Sequence, residues 1–344
     1  MARRVVDVLV PVALDRAYSY RVPAALELAP GDIVTVPLGP RETTGVVWAE
    51  NANPNPRLDN RLKDIEERLE FPPLKPELRR FVEWVANYTL SARGMVLRMC
   101  LRMGEHLGAE RERIGVRLAG AAPERLTTAR RRVLDLLADG MVRGKTDAAR
   151  EASVSAGVID GLIDEGTLAT VVLPPEPVAQ APDPDFITAD FTADQRAAAT
   201  ALQKTVAAGG YSVTLLDGVT GSGKTEVYFD AVADTIRRGR QSLILMPEIA
   251  LTTQFLDRFT ARFGTRPAEW HSELSPRLRA RTWRAVAAGE VSVVVGARSA
   301  LFLPYADLGL IVVDEEHDPA YKQEDSTIGM LAICPRTTAI SRAW

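Results

Sequence analysis

The stretch Leu215–Thr225, LLDGVTGSGKT, constrains the fold of this chain more than any other. An apolar run enters a glycine-rich turn, and Lys224 and Thr225 stand where a helix would open. Gly218, Gly223, Lys224 and Thr225 fit G-x-x-x-x-G-K-[ST], the spacing of a phosphate loop. Glycines let the backbone N–H groups of Thr220, Gly221 and Ser222 curl around a polyphosphate, and the helix N-terminus adds partial positive charge. Lys224 then reaches the outer phosphates and Thr225 offers a hydroxyl to Mg²⁺. The expected ligand is ATP with Mg²⁺.

A phosphate loop sits at the end of a strand in a parallel sheet, and the surrounding pattern fits one. From Thr192 onward helices and strands alternate: Asp194–Ala208 helical, Ser212–Leu216 a strand, Thr225–Arg238 a helix, Ser242–Met246 a strand. Ala250–Phe263, a short strand towards Trp270, Pro276–Ala288, Val291–Val295 and Leu308–Val313 continue it. Such alternation predicts a parallel sheet with helices on both faces. Leu308–His317, LGLIVVDEEH, delivers Asp314 and Glu315 at a strand's carboxyl end, the edge at which such sheets bind ligands. Alone, DEEH is a charged strand end; paired with the phosphate loop, Asp314 is placed to hold Mg²⁺ and Glu315 to polarise the attacking water.

Gln195 lies in Thr192-Ala-Asp-Gln195, a capping box, and its amide is also a candidate for adenine recognition. Gly296-Ala-Arg298-Ser299-Ala300 follows a strand and offers a cation, a hydroxyl and backbone N–H groups to a phosphodiester. Pro247–Thr252 is a second loop of that kind, and His271 reads mainly as a polar strand end.

Ahead of this half, residues 1–70 read as short strands with Gly/Pro turns, a small β-barrel or folded sheet: Val5–Val10, Tyr18–Val22, Ile33–Val36 and Thr44–Trp48. Pro76–Leu90 is a helix with Leu78, Phe81, Val82, Val85 and Tyr88 on one face, followed by a helix over Met95–Met103. Leu126–Leu137, Lys145–Glu151 and Ser155–Asp164 read as three helices and Leu168–Leu173 as a strand, the outline of a winged helix. Five prolines within Pro174–Phe186 mark an extended linker and the clearest domain boundary.

Charge is uneven: residues 1–150 carry 25 Lys and Arg against 20 Asp and Glu, the remainder 17 against 25. The mildly basic front is compatible with nucleic acid and weak evidence for it. Cys100 and Cys334 are far apart and form no C-x-x-C pair, so neither a disulfide framework nor a zinc site is expected. No run is apolar for long enough to span a membrane, and Asp7 interrupts the N-terminal apolar stretch that a signal peptide would need. A cytoplasmic protein without membrane partners is expected.

Together GVTGSGKTEVY, LMPEIALT, HSELS, VVVGARSALFLP and LIVVDEEHDPAYKQ closely resemble the primosomal (PriA) family of superfamily-2 replication-restart helicases. LVPVALDRAYSYRVP, PGDIVTVPLG and RLKDI resemble that family's N-terminal DNA-binding domain. The resemblance runs through Gln323 and takes in the winged-helix segment only by order and outline. It implies a multi-domain chain: a β-barrel-like domain over residues 1–105 that binds a 3′ DNA end, and a winged helix over 110–173. A proline-rich linker over 174–189, a RecA-like ATPase lobe over 190–323 and an atypical tail over 324–344 follow.

The same resemblance implies that Gln195 reads adenine and that the 3′-end pocket maps onto Tyr18, Ser19 and Tyr20, with Gly39 and the phosphate-contacting Lys63. The family's acidic position is Ser19 here. It implies forked DNA, other primosome proteins and single-stranded DNA-binding protein as partners in the nucleoid, and zinc only in a C-terminal part that this chain does not contain. After Lys322-Gln323 the family continues with an aromatic-Arg-Tyr-His stretch, whereas this chain reads EDSTIGMLAICPRTTAISRAW, which is expected of a frameshifted or truncated product or of a boundary scar. Two functions follow: an ATP-dependent restart helicase without its second lobe, nearly inactive alone, or a non-catalytic fork-binding fragment whose lobe binds ATP without hydrolysing it. A translocase of another family would leave the barrel-like front unexplained.

Overall fold

The computed structural model describes residues 4–52, 61–101, 113–123, 125–174, 176–219, 221–247, 252–315, 318 and 338–342. Thr220, Glu248–Leu251, His317, Tyr321–Gln323, Cys334 and most of the tail lie outside the described residues.

Strands β1 (Val5–Leu9), β2 (Tyr18–Arg21), β3 (Ile33–Leu38), β4 (Arg41–Glu50) and β5 (Glu67–Arg68) form an antiparallel sheet in the order β2-β1-β4-β3-β5. A bridge from Arg21 to Asp64 brings the chain just before β5 back beside β2, curling the sheet towards closure. Period-two alternation sorts its residues. Val6, Val8, Tyr20, Val34, Val36 and Val47 fill the inside, while Leu9, Ile33 and Val46 face outward onto helices α1 (Pro76–Thr89) and α2 (Arg93–Cys100). Helix α2 can come this close only because Gly94 has no side chain. A Cβ there would stand 2.1 Å from the Val12 carbonyl oxygen.

Along α1 the buried residues are Leu78, Val82, Val85 and Ala86. Tyr88, expected on that face, is 54% exposed and stacks on Trp84 with ring centroids 5.0 Å apart. The helix turns by about 100° per residue, so position 88 has drifted off the stripe, and an i,i+4 aromatic partner holds it instead.

Residues 108–177 form a separate unit. It contains β6 (Arg113–Leu118), α3 (Thr128–Leu137), β7 (Arg143–Gly144), α4 (Lys145–Glu151), α5 (Ala156–Asp164) and β8 (Leu168–Leu173), with the strands ordered β7-β6-β8. The three helices and β8 lie where the sequence suggests them. The other two strands carry arginines and lack a clean apolar alternation. Val116, Val133, Leu137, Ile159, Leu162 and Leu168 make its core.

The α/β part comprises α6 (Ala193–Ala208), β9 (Ser212–Leu216), α7 (Lys224–Arg237), β10 (Gln241–Leu245), α8 (Thr253–Phe263), β11 (Ala268–Trp270), α9 (Pro276–Ala288), β12 (Val293–Gly296), β13 (Leu308–Val313) and β14 (Thr338–Arg342). Its parallel sheet is ordered β11-β12-β10-β13-β14-β9. β14 comes from the stretch read as an atypical tail. On one face Ile244, Val295, Leu310 and Val312 pack with residues of α6, α7 and α8, among them Val206, Phe229 and Phe259. On the other face Leu243, Leu245, Val294 and Ile311 pack with Trp283 of α9 and with α1 and α2 of the front.

Residues 1–107 and 178–344 therefore pack into one compact unit around a shared core. The unit boundary at 177/178 falls within the proline-rich stretch, whose end is pinned to the α/β part. Asp183 N–H donates to the Phe263 carbonyl at 3.0 Å, and Arg237 pairs with Asp185 at 2.6 Å.

Candidate functional site

β9 delivers the chain into the phosphate loop, and α7 begins at Lys224. Gly221 and Gly223 adopt φ of +79° and +83°, the left-handed conformation that a β-carbon disfavours. Gly223 is the N-cap of α7 and is needed twice over, because a Cβ there would lie 2.5 Å from Gln195 Nε2. Lys224 and Thr225 are each only 5% exposed at the start of the helix. The Lys224 ammonium donates to the carbonyl oxygens of Gly218 and Val219, the latter at 3.2 Å, so the lysine is folded over the loop that would cradle phosphate.

Gln195 does two things at once. Its Oε1 accepts from Thr192 N–H at 2.9 Å and the Thr192 hydroxyl accepts from Gln195 N–H at 3.4 Å, which completes the capping box. Its Nε2 donates to the Ser222 carbonyl at 2.8 Å, tying the start of α6 to the phosphate loop.

Asp314 follows β13 and is 2% exposed. Its backbone N–H donates to the Leu245 carbonyl at 2.9 Å, which continues the β10–β13 pairing up to the edge of the sheet. Oδ1 accepts from Glu315 N–H at 3.0 Å and Oδ2 accepts from the Tyr228 hydroxyl at 2.9 Å. Glu315 has φ of +54°, a left-handed conformation in a residue with a side chain, and such conformations cluster where a site constrains the backbone. β9 and β13 are parallel and one strand apart, so the phosphate loop and Asp314 leave the same edge at a separation of about 10 Å. One hydroxyl and one buried carboxylate are hard oxygen donors that suit Mg²⁺, which binds through few protein ligands and keeps its waters. No group of three or more His, Cys, Asp or Glu residues poised to hold a metal occurs among the described residues.

Arg298 and Ser299 open a 3₁₀ turn, Arg298–Phe302, just beyond β12 and hence at the same sheet edge. Arg298 Nη1 is buried without a hydrogen-bond partner among the described residues. His271 stands beside Glu269, 3.6 Å from its carboxylate.

In the front sheet Tyr18, Ser19 and Tyr20 pair with Val8, Asp7 and Val6. Alternation turns Tyr18 and Tyr20 towards the inner core and Ser19 to the other face. There the Ser19 hydroxyl donates to Asp7 Oδ1 at 2.7 Å, and Asn51 Nδ2 donates to that oxygen at 3.0 Å and to Ser19 Oγ at 3.2 Å. Lys63 Nζ donates to the Gly39 carbonyl at 2.9 Å, so these two candidates meet. Tyr20, rather than Tyr18, reaches this turn, its hydroxyl donating to the Pro37 carbonyl at 3.1 Å. Sequence reasoning passed over Asp7, Asn51 and Tyr228. The available signal for Asp7 was an acid inside an apolar run.

The 3′DNA-binding domain (3′BD) family matches residues 7–102, and the DEAD/DEAH box helicase family matches residues 192–341. The chain is 30% identical over 328 residues to the replication restart protein PriA of Rickettsia conorii, covering 94% of this chain and 39% of that protein. Against PriA of Haemophilus influenzae it is 32% identical over 342 residues, covering 94% and 46%. Against PriA of Bacillus subtilis it is 45% identical over 135 residues, covering 39% and 17%. The chain thus spans less than half the length of these relatives. A solved structure of RecG bound to a three-way DNA junction aligns with a TM-score of 0.38 at 21% identity, over 48% of this chain and 24% of that one. No helix among the described residues is long and apolar enough to cross a membrane.

Proposed function

We propose that this chain is the N-terminal portion of an ATP-dependent replication-restart DNA helicase, in which recognition of a DNA 3′ end and an ATPase lobe are built into one body. The observation that carries this reading is the shared core. A segment matching a 3′DNA-binding family packs on the lobe whose Lys224, Thr225, Asp314 and Glu315 leave one sheet edge.

In this reading Lys224 swings from the Gly218 and Val219 carbonyls onto the outer phosphates, which the N–H groups of Gly218–Gly223 cradle. Mg²⁺, when bound, neutralises charge on the β- and γ-phosphates. Thr225 and Asp314 would hold it. Glu315 orients the water that attacks the γ-phosphorus as the bond to the β-γ bridging oxygen breaks. Gln195 reads adenine while keeping its hold on the loop. Arg298 and Ser299 contact the phosphodiester of single-stranded DNA.

At the front, Tyr18, Ser19, Gly39 and Lys63 take the 3′ end, with the Lys63 ammonium on a phosphate. Residues 110–173 serve as a winged helix; the three helices beside a three-stranded antiparallel sheet support this. Stalled forks, other primosome proteins and single-stranded DNA-binding protein are the partners, in the cytoplasm at the nucleoid.

The 344 residues taken alone are expected to bind Mg-ATP weakly and to hydrolyse it near background. A helicase site closes between two lobes, and the arginine that contributes about 10³–10⁵ in rate comes from the second. On that reading the chain alone works as a fork-binding module. Fork binding and ATPase measured side by side on this chain and on a full-length relative test both statements. Fork-stimulated turnover at helicase rates by this chain alone would overturn the second, and equal affinity for forks ending in 3′-hydroxyl and 3′-phosphate would overturn the end pocket.

A further inference from the structure

We infer that Tyr228 is a positioning residue for the magnesium site, acting through Asp314; this rests on the nucleotide-site reading above. Tyr228 is fully buried, and its neighbours in the core are apolar, among them Val227, Phe229, Ile244, Leu310 and Val312. A phenylalanine would fill this space equally well, so it is the hydroxyl that needs a reason. A buried phenol is costly without a partner. Its oxygen lies 2.9 Å from Asp314 Oδ2, across 86 residues of chain.

The placement is specific. Thr225 and Tyr228 stand three residues apart on α7, hence on one helix face. The helix that presents the magnesium-holding hydroxyl therefore also holds the magnesium-holding carboxylate. Among the partners of Asp314 are the Glu315 N–H on Oδ1 and the Tyr228 hydroxyl on Oδ2. Donors on different oxygens hold the plane of a carboxylate against rotation about χ2.

The test is a titration of a fluorescent ATP analogue into this chain, in EDTA and at a series of Mg²⁺ concentrations. Tyr228→Phe is expected to bind within about twofold of the unaltered chain in EDTA, because the ring and the phosphate loop are retained. Its midpoint for Mg²⁺-dependent tightening is expected to rise at least about 10-fold, the scale of losing a hydrogen bond to a charged group, and to be recovered at high Mg²⁺. Asp314→Asn removes the Mg²⁺ dependence, and Tyr228→Phe added to it has no further effect on it. An unchanged midpoint in Tyr228→Phe overturns the proposal, and so does equal weakening with and without Mg²⁺, which marks a merely structural role. Absence of Mg²⁺-dependent tightening in the unaltered chain overturns the nucleotide-site reading itself, and the role of Tyr228 with it. Thermal melting of each variant identifies loss of fold. Should Tyr228→Phe fail to fold, the Mg²⁺ midpoint is read from Tyr228→Leu, an apolar side chain without a donor, for which the same rise is expected; an unchanged midpoint, or a loss equal with and without Mg²⁺, overturns the proposal.

Discussion

The indole N–H of Trp283 donates to the backbone carbonyl of Cys100 at 2.8 Å, a bond that joins α9 of the α/β part to α2 of the front across 183 residues of sequence. Phe71 meets the Trp283 ring edge-on at 5.7 Å, with the Arg284 guanidinium over the Phe71 ring, and Phe81 of α1 packs on Phe302 at 5.3 Å. The last contact reaches the 3₁₀ turn that begins with Arg298 and Ser299.

Trp283→Phe should destabilise the unit by about 1–3 kcal/mol, because it leaves a buried carbonyl without its donor. Trp283→Ala should cost about 3–5 kcal/mol through the cavity it opens. Urea denaturation checks both values. A Trp283→Phe variant as stable as the unaltered chain would show that the indole bond contributes nothing.

Cys100 is 1% exposed, and burial pushes its thiol pKa well up, so the reactive thiolate is scarce in the folded chain. Iodoacetamide at pH 8 should leave Cys100 unmodified in the native protein and alkylate it in urea, as peptide mass spectrometry reads out. Native labelling at the rate of a free cysteine would contradict the buried placement.

Lys224→Ala removes the cation that now bridges two loop carbonyls. ATP affinity, measured by calorimetry, should fall by at least about 10-fold, the scale of a charge-assisted phosphate contact, with little change in melting temperature. Undiminished ATP binding would move the nucleotide elsewhere.

Lys63→Ala should weaken binding to DNA with a free 3′ end and lower the slope of log K against log salt by about 1, as expected for one lost phosphate contact. Asp7→Asn changes the acceptor for Ser19 and should alter discrimination between 3′-hydroxyl and 3′-phosphate while leaving that slope nearly unchanged. Fluorescence anisotropy over a salt series separates the two variants.

Hydrogen bonds from the Arg143 guanidinium, and then from Met141 N–H, hold the Asp139 carboxyl down at about 2. A depressed carboxylate pKa adds stability above its unfolded value, about 3.9, and loses it as pH falls through the folded one. Carbon-detected NMR titration should find Asp139 titrating near 2, and Arg143→Gln should return it towards the ordinary value. Asp139 is exposed, so the effect on global stability is expected to be small.

Much of the candidate site was legible because its signals are local. The capping box at Thr192 and Gln195, the left-handed glycines before Lys224, and the apolar strand ending in Asp314 each depend on neighbours within a few residues. Lys145–Glu151 and Pro276–Ala288 have the helix bounds that the sequence suggests. Tyr88 was misplaced because periodicity gives the face of a helix and not the edge of what covers it. β6, RIGVRL, was missed because its arginines break the apolar alternation that identifies a strand.

By itself, the sequence determined that a glycine-rich loop with phosphate-loop spacing lies at the end of a parallel strand, with two carboxylates just beyond a second strand of the same sheet; the strand before the loop, read from its apolar run as buried, leaves Val213 and Leu215 exposed on one face. Steric limits on φ and the period of side-chain alternation act over a few residues, and these are written in the order of the chain. Only the tertiary structure decided that Tyr228 meets Asp314, that Asp7 and Asn51 surround Ser19, and that the front of the chain shares a core with the lobe through Trp283. Those contacts join residues from 12 to 183 positions apart, brought together by strand pairing and by burial of apolar faces, and burial is non-directional. A hydrophobic face records in sequence that it must be covered. What covers it is settled by the packing of the whole unit.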